Sequence, residues 1–457
     1  MLFNSYEFIF VFLPVTFIGF YYLGHKGRKE MATLWLVLAS LFFYGYWDMR
    51  YVPLLVGSIC FNYLVGRQLE QHNGNKKWLV LGVVVNVLLL GYFKYTDFFL
   101  ETVNSVAGSD MFDLPHIVLP LGISFFTFTQ TAYLVDAYRG EAKNESFLTY
   151  LEFVTIFPHL IAGPIINHKE MIPQFIADKT FRLNYENIAL GLTVFTFGLF
   201  KKVAIADWLG EWANEVFSQT GMLTCTEAWV GALSYTLQLY FDFSGYSEMA
   251  IGLALMFNLK MPVNFNSPYQ ARSIIDFWRR WHMTLGLWVK NYLYIPMGGN
   301  RYGELRKMRN LFASMVIIGL WHGAGWTFIL WGTIHGILLM INHAWRKTNI
   351  SLPKVINWGL TFLCVVICWV FFRSESIGKA FYVLGAMVNF ADFSSQGIKR
   401  LAELCVMVAG MTVITNPIEM LKKTKFPSHR WEIATIVLLI TSILYITVDS
   451  PFLYFQF

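Results

Sequence analysis

Charge is scarce in this chain: Asp, Glu, Lys and Arg together make up 14% of its 457 residues, against about 25% in an ordinary soluble domain. That shortage, combined with 56% hydrophobic residues and a mean hydropathy of +0.48, excludes a water-soluble globule and leaves a polytopic membrane protein. Cysteine is also sparse. Cys60, Cys225, Cys364, Cys368 and Cys405 are scattered, mostly within apolar runs, which excludes a disulfide framework. Cys364 and Cys368 share a helix face at i, i+4, but with no His or Asp nearby they read as buried small hydrophobes rather than metal ligands. A Walker A lysine, a His-Glu-x-x-His zinc motif and a Gly-x-Ser-x-Gly nucleophile elbow are all missing, so neither a metal nor a bound cofactor is expected. No basic n-region or small-residue cleavage site accompanies the apolar stretch from Phe8 to Leu23, which Glu7 precedes. It reads as a retained first helix.

What charge there is follows a pattern. The formal balance is +6, but in a membrane protein the distribution says more than the sum, and no nucleic-acid partner is expected. Lys26, Arg28 and Lys29 follow the first span and Arg67, Lys76 and Lys77 the third, whereas the loop after the fourth holds Asp97, Glu101, Asp110 and Asp113 without Lys or Arg. The positive-inside rule then puts the N-terminus outside and the first and third loops in the cytoplasm.

Apolar stretches long enough to span fall near 7–23, 31–47, 51–66, 78–94, 117–135, 148–166, 187–206, 228–256, 309–322, 326–344, 356–373, 401–416 and 432–449. About eleven are expected to cross, with one or two short, broken or re-entrant. The expected fold is all-α, a single transmembrane domain over residues 1–457 with no internal repeat. From Pro262 to Arg309 the pattern breaks, because Asn264, Asn266, Arg272, Asp276, Arg279, Arg280, His282 and Lys290 are interleaved with Trp278, Trp281 and Trp288. Continued as one helix, this stretch places Arg279 and Arg280 within reach of Asp276 and lines up Trp278, Trp281, Leu285 and Trp288 as an apolar stripe. An interfacial or re-entrant element fits that arrangement.

Two segments carry candidate chemistry: Asp276-Phe-Trp-Arg-Arg-Trp-His282 and Trp321-His-Gly-Ala-Gly-Trp326. Each sets a histidine beside tryptophans in a membrane-like chain. An imidazole with an ordinary pKa of about 6.5 takes and returns a proton near neutrality, and ionisable groups in a bilayer are costly enough to mark function. His322, among Ile317, Ile318, Leu320 and Trp321, is the first candidate. Its bland alternative is a histidine capping a helix end near Gly323 and Gly325.

The motifs resemble the membrane-bound O-acyltransferases, and within them the bacterial branch of alginate and peptidoglycan O-acetylation proteins. The likeness runs through Pro120-Leu-Gly-Ile-Ser-Phe-Phe-Thr-Phe128, Asp136-Ala-Tyr-Arg-Gly140, Phe157-Pro-His-Leu-Ile-Ala-Gly-Pro164 and Gly198-Leu-Phe-Lys-Lys-Val203 with Asp207. It continues in Tyr240-Phe-Asp-Phe-Ser-Gly-Tyr-Ser247, Phe265-Asn-Ser-Pro-Tyr269, Phe277-Trp-Arg-Arg-Trp-His282, Trp321-His-Gly323, His335-Gly336 and Tyr454-Phe-Gln-Phe457. One departure is Val289-Lys-Asn-Tyr292, where relatives more often carry an arginine and an aspartate before the tyrosine.

The resemblance implies helices packed around a funnel across the membrane, with the Trp-His-Gly histidine, His322, at its centre and His282 second in importance. It further implies an O-acetyltransferase of the bacterial inner membrane that takes acetyl from acetyl-CoA and serves a secreted or cell-wall polysaccharide, alginate and peptidoglycan being examples. A separate extracytoplasmic partner of the serine-hydrolase-like type is implied to finish the transfer. Acyl transfer to a hydroxyl needs a base, an oxyanion stabiliser and positioning. His322 fits the base. His282 could orient the thioester, relay a proton or merely bond a carbonyl. His335, thirteen residues after His322, would lie about 220° around an ideal helix and share its face only across a break. Arg279, Arg280 and Lys290 offer cations for the donor's phosphates, or else a salt bridge to Asp276 and interfacial anchoring. Asp242, Ser244 and Tyr246 could line the tunnel or knit helices together. D-Alanyl transfer to teichoic acid from a carrier protein is the alternative reading. A transporter or channel built on Asp136, Asp207, Asp242, His282 and His322 is the distant one.

Overall fold

The computed structural model describes the chain apart from residues 73, 143–144, 415, 424–427, 447–451 and 454–457. The motif Tyr454-Phe-Gln-Phe457 and the end of the last expected span therefore lie outside the described residues. Among the described residues every regular element is helical, and no strand forms. Among the described residues seven helices are long and apolar enough to cross a membrane: Phe8–His25, Met49–Gln71, Lys76–Ala107, Tyr185–Ser218, Trp326–Trp345, Lys354–Arg373 and Ser395–Leu421. The other expected spans take different forms. Lys29–Gly45 and Ile123–Tyr138 are helices of 17 and 16 residues. The stretch 148–166 is broken into Phe147–Thr155 and Phe157–Leu160, because Pro158 lacks the amide hydrogen that a continuing helix would use.

The chain forms two compact units. The first comprises Met1–Leu199, Tyr246–Pro262 and Pro427–Pro451. Its core is aromatic: Phe3 stacks on Phe43 at 5.4 Å between ring centroids, and Phe12 meets Phe157 edge-on at 5.4 Å. Several polar groups inside it pair with one another, as burial in an apolar medium favours. Asn62 and Asn86 exchange amide hydrogen bonds of 3.2 and 2.6 Å between two of the spans. Asp136 lies 3.3 Å from His168.

The second unit comprises Phe200–Gly245, Val263–Phe426 and Phe452–Phe457. It is organised on a tight pair of helices, Glu304–His322 and Trp326–Trp345, joined by Gly323-Ala-Gly325. Small residues let the two backbones touch, since a Cβ on Gly319 would sit 2.3 Å from the Phe328 carbonyl oxygen and one on Gly332 would sit 2.4 Å from that of Met315. Close approach of this kind replaces the hydrophobic driving force that helices lack in lipid. Gly323 is needed for space rather than for its dihedrals: its backbone is extended at φ −157°, but a Cβ would enter the Phe328 ring at 2.1 Å. Against this pair lie the short helix Ile274–Trp278 and the span Lys354–Arg373.

Candidate active site

The single helix expected across 276–288 does not form. The segment is two short helices, Ile274–Trp278 and Met283–Val289, separated by a turn in which His282 has φ 45° and ψ 54°. A left-handed conformation at a non-glycine residue costs energy and persists only when its surroundings hold it. Asn264 is the holder. Its carbonyl oxygen accepts from the Met283 amide at 2.9 Å, while its Oδ1 accepts from the Thr284 amide at 3.3 Å and from Thr284 Oγ1 at 2.9 Å. Asn266 donates to the Arg280 carbonyl at 2.9 Å from the same strip of chain. As a result the stripe of tryptophans never assembles: Trp281 turns into the core at 2% exposure, stacked on Tyr269 at 5.9 Å and tilted against Trp369 at 5.0 Å.

The same arrangement sets the tautomer of His282. Asn264 Oδ1 lies 3.0 Å from His282 Nδ1. Because the Thr284 amide can only donate, the asparagine atom facing it must be oxygen, so Nδ1 must carry the proton. In the neutral ring the basic lone pair is then on Nε2. The imidazole is buried, edge-on to Phe243 at 4.8 Å and 6.3 Å from Trp321.

His322 is the last residue of its helix and is 4% exposed. It stands in an aromatic cage, 4.9 Å from the Trp321 ring, 5.1 Å from Trp331 at a 90° interplanar angle, and 5.2 Å from Phe372. Trp321 thus contacts both His282 and His322.

His335 joins the same cluster. The helix break at 323–325 resets the phase that an unbroken helix would impose, and Trp331 lies 4.8 Å from His335 as well as 5.1 Å from His322. Trp278 Nε1 donates to His335 Nδ1 at 3.3 Å. An indole N–H only donates, so the neutral His335 ring carries its proton on Nε2. That atom and Trp331 Nε1 are buried donors with no hydrogen-bond acceptor among the described residues, at a cost of about 1–3 kcal/mol each unless a bound group or water meets them.

The remaining sequence candidates are dispersed. Arg280 pairs with Asp276 through Nε at 2.8 Å, whereas Arg279 and Lys290 are exposed. Asp242 is 1% exposed and takes Lys202 Nζ at 2.8 Å and the Leu453 amide at 3.0 Å. Lys202 also reaches Asp207 at 2.7 Å. Ser244 is fully buried in the second unit, while Tyr246 belongs to the first, stacked on Phe3 at 4.7 Å. Sequence reasoning missed Trp331 and Asn264 as a tautomer-setting group, and it quoted Lys202 within the 198–203 motif without giving it a role. Lys202 sits in a π-helical turn, Lys201–Ala206, a local irregularity frequent at functional sites that leaves no mark on hydrophobic periodicity.

Comparison with known proteins gives the setting. The profile of MBOAT, the membrane-bound O-acyltransferase family, matches residues 17–374. The peptidoglycan O-acetyltransferase of Helicobacter pylori is 49% identical over 427 residues, covering 86% of this chain and 81% of that protein. The probable alginate O-acetylase AlgI of Pseudomonas aeruginosa is 43% identical, with 91% and 80% covered. The teichoic acid D-alanyltransferase of Bacillus subtilis is 29% identical over 56% of this chain.

Proposed function

The chain belongs to the membrane-bound O-acyltransferase family, and from that premise we propose that it is a multi-pass membrane O-acetyltransferase acting on a cell-wall or secreted polysaccharide. The names and coverage of the peptidoglycan and alginate relatives support acetylation. The D-alanyl alternative has support from relatives at 29% identity that match little more than half the chain. The donor we assign is acetyl-CoA on the cytoplasmic side of the bacterial inner membrane, and the chain acts with an extracytoplasmic serine-hydrolase-like partner that completes transfer to the sugar.

The observation that carries this reading is the burial of His322 at a helix end inside an aromatic cage, linked through the Trp321 ring to a tautomer-fixed His282. In the proposed reaction His322 takes the proton of the attacking hydroxyl as its oxygen bonds to the thioester carbonyl carbon. The carbon–sulfur bond then breaks, and the thiolate leaves with a proton as free coenzyme A. General-base help of this kind contributes about 10²- to 10⁴-fold, and the apolar walls exclude the water that would otherwise hydrolyse the donor. His282 Nε2 is placed to relay the proton or to orient the thioester. The orphaned N–H groups of Trp331 and His335 are donors suited to the carbonyl oxygen. Arg279 and Lys290, both exposed, are the cations we assign to the donor's phosphates. Asp242 is taken up by its lysine and serves the fold.

The test is release of coenzyme A from radiolabelled acetyl-CoA by purified protein in nanodiscs, with the extracytoplasmic partner and a polysaccharide acceptor supplied. Turnover is expected in wild type, lost in His322→Ala and strongly reduced in His282→Ala, all three folded. Undiminished turnover in His322→Ala would remove it as the base.

A further inference from the structure

Two cavities of the second unit share a wall at Trp358 and Ala409. One, of about 620 Å³, is basic, with Arg272, Arg280 and Lys354 around a single carboxylate, Asp276. Three cations less one anion leave it +2, and Asp276 holds the Arg280 guanidinium in place at 2.8 Å. The other, of about 640 Å³, is lined by apolar side chains, among them Phe362, Leu363 and Val366 from one helix and Leu401 and Val408 from another. Trp358 stands at the junction with its Nε1 donating to the Tyr269 carbonyl at 2.9 Å, in the way tryptophans mark the boundary between headgroups and hydrocarbon.

The dimensions suit one leaflet. The walls are the candidate spans Lys354–Arg373 and Ser395–Leu421, which run antiparallel here: Lys354 and Thr412 border the basic cavity, Val366 and Leu401 the apolar one. From Lys354 to Val366 is twelve residues, about 18 Å of helix rise, slightly more than half of a hydrocarbon core roughly 30 Å thick. The groove is open along this wall, since a Cβ on Gly359 would meet no atom within 4 Å.

We propose that the two adjoining cavities together hold one anionic phospholipid, its phosphate on Arg272, Arg280 and Lys354 and one acyl tail between the two spans. Phosphate alone explains only the basic half. Acetyl-CoA shares the phosphate chemistry, but its two-carbon acyl group leaves the apolar groove empty. A basic pocket between membrane helices, adjoining an apolar groove along the same two spans, matches a lipid in both charge and length.

The experiment is native mass spectrometry of the full chain released from micelles containing dioleoyl phosphatidylglycerol or dioleoyl phosphatidylcholine. Wild type is expected to retain one phosphatidylglycerol, favoured over phosphatidylcholine by about tenfold or more. Arg272→Gln with Lys354→Gln should lose that preference. Gly359→Leu, which changes no charge and favours helix, should weaken retention of the dioleoyl lipid but not of dihexanoyl phosphatidylglycerol, whose short tails do not reach the groove. Equal retention of the two headgroups in wild type would overturn the proposal, as would an undiminished preference in the folded double variant. Displacement of the lipid by coenzyme A, with a raised KM for acetyl-CoA in Arg272→Gln, would assign the cavity to the donor instead. Occupation of the groove by a co-purifying membrane helix in place of lipid would also overturn it.

Discussion

His282 and Asn264 face each other across a fully buried hydrogen bond of 3.0 Å, Nδ1 to Oδ1, and the same oxygen receives both donors of Thr284. One side chain therefore fixes a strained turn, a ring orientation and a tautomer. Asn264→Leu should lower kcat/KM by about 10- to 100-fold, the range seen when the group orienting a functional histidine is removed. Asn264→Asp keeps the acceptor and adds charge beside the ring, favouring the imidazolium. It should retain more activity than Asn264→Leu while moving the acid limb of the pH–rate profile to higher pH. A merely structural asparagine would leave that limb where it is.

The spacing between His322 and Trp331 depends on the glycine contact behind it. Gly332→Ala would put a methyl 2.4 Å from the Met315 carbonyl oxygen, at a cost of about 1–3 kcal/mol if the helices separate. Activity should fall further than the melting temperature suggests, because the cage around His322 shifts with the helix. Gly410→Ala is the control: nothing lies within 4 Å of its Cβ position, and it should be neutral or stabilising by up to about 1 kcal/mol. Thermal unfolding and coenzyme A release, measured on both, decide the matter.

Lys202 lies between Asp207 and Asp242 at 2.7 and 2.8 Å, with its side chain 4% exposed. Removing one partner of a buried ion pair typically costs about 3–5 kcal/mol, mostly by leaving the other charge uncompensated. Lys202→Met should lower the melting temperature sharply, and adding Asp242→Asn should recover part of the loss. Equal melting of the single and double variants would contradict the coupling.

At the far end of the helix pair, Glu304 meets Lys347 at 3.0 Å and Lys307 at 3.5 Å. The Lys347 ammonium, hydrogen-bonded to it, holds the Glu304 carboxyl below the usual carboxylate range. A depressed folded pKa means a contribution present above the unfolded value, about 4.3. It is lost as the pH falls through the lower folded value. The pair is exposed, so the effect is small and weakens with salt. Melting temperatures should fall less steeply with acidification for Glu304→Gln than for wild type, and coincide in slope above pH 6.

Much of this was legible in the chain. The hydrophobic runs gave an all-helical membrane protein because a bilayer permits few other ways to satisfy the backbone. The Trp-His-Gly and Arg-Arg-Trp-His motifs picked out His322 and His282. What was not legible was phase. Periodicity assumes an unbroken helix, so it drew a tryptophan stripe through 278–288 and set His335 on the opposite face from His322. In the structure a left-handed residue at 282 and a link with Gly323 and Gly325 in extended conformation break the helices at both places.

By itself, then, the sequence determined the class of solvent, the helical composition and which side chains are the candidates for chemistry, since these follow from local composition and the energetics of burial. Only the tertiary structure decided which ring faces which. The Asn264 bond that sets the His282 tautomer joins residues 18 apart, the Trp278 bond that sets the His335 tautomer joins residues 57 apart, and Lys202 meets an aspartate forty residues on. Contacts at such separations are set by how segments distant in the chain pack together, which hydrophobic periodicity within any one segment does not encode.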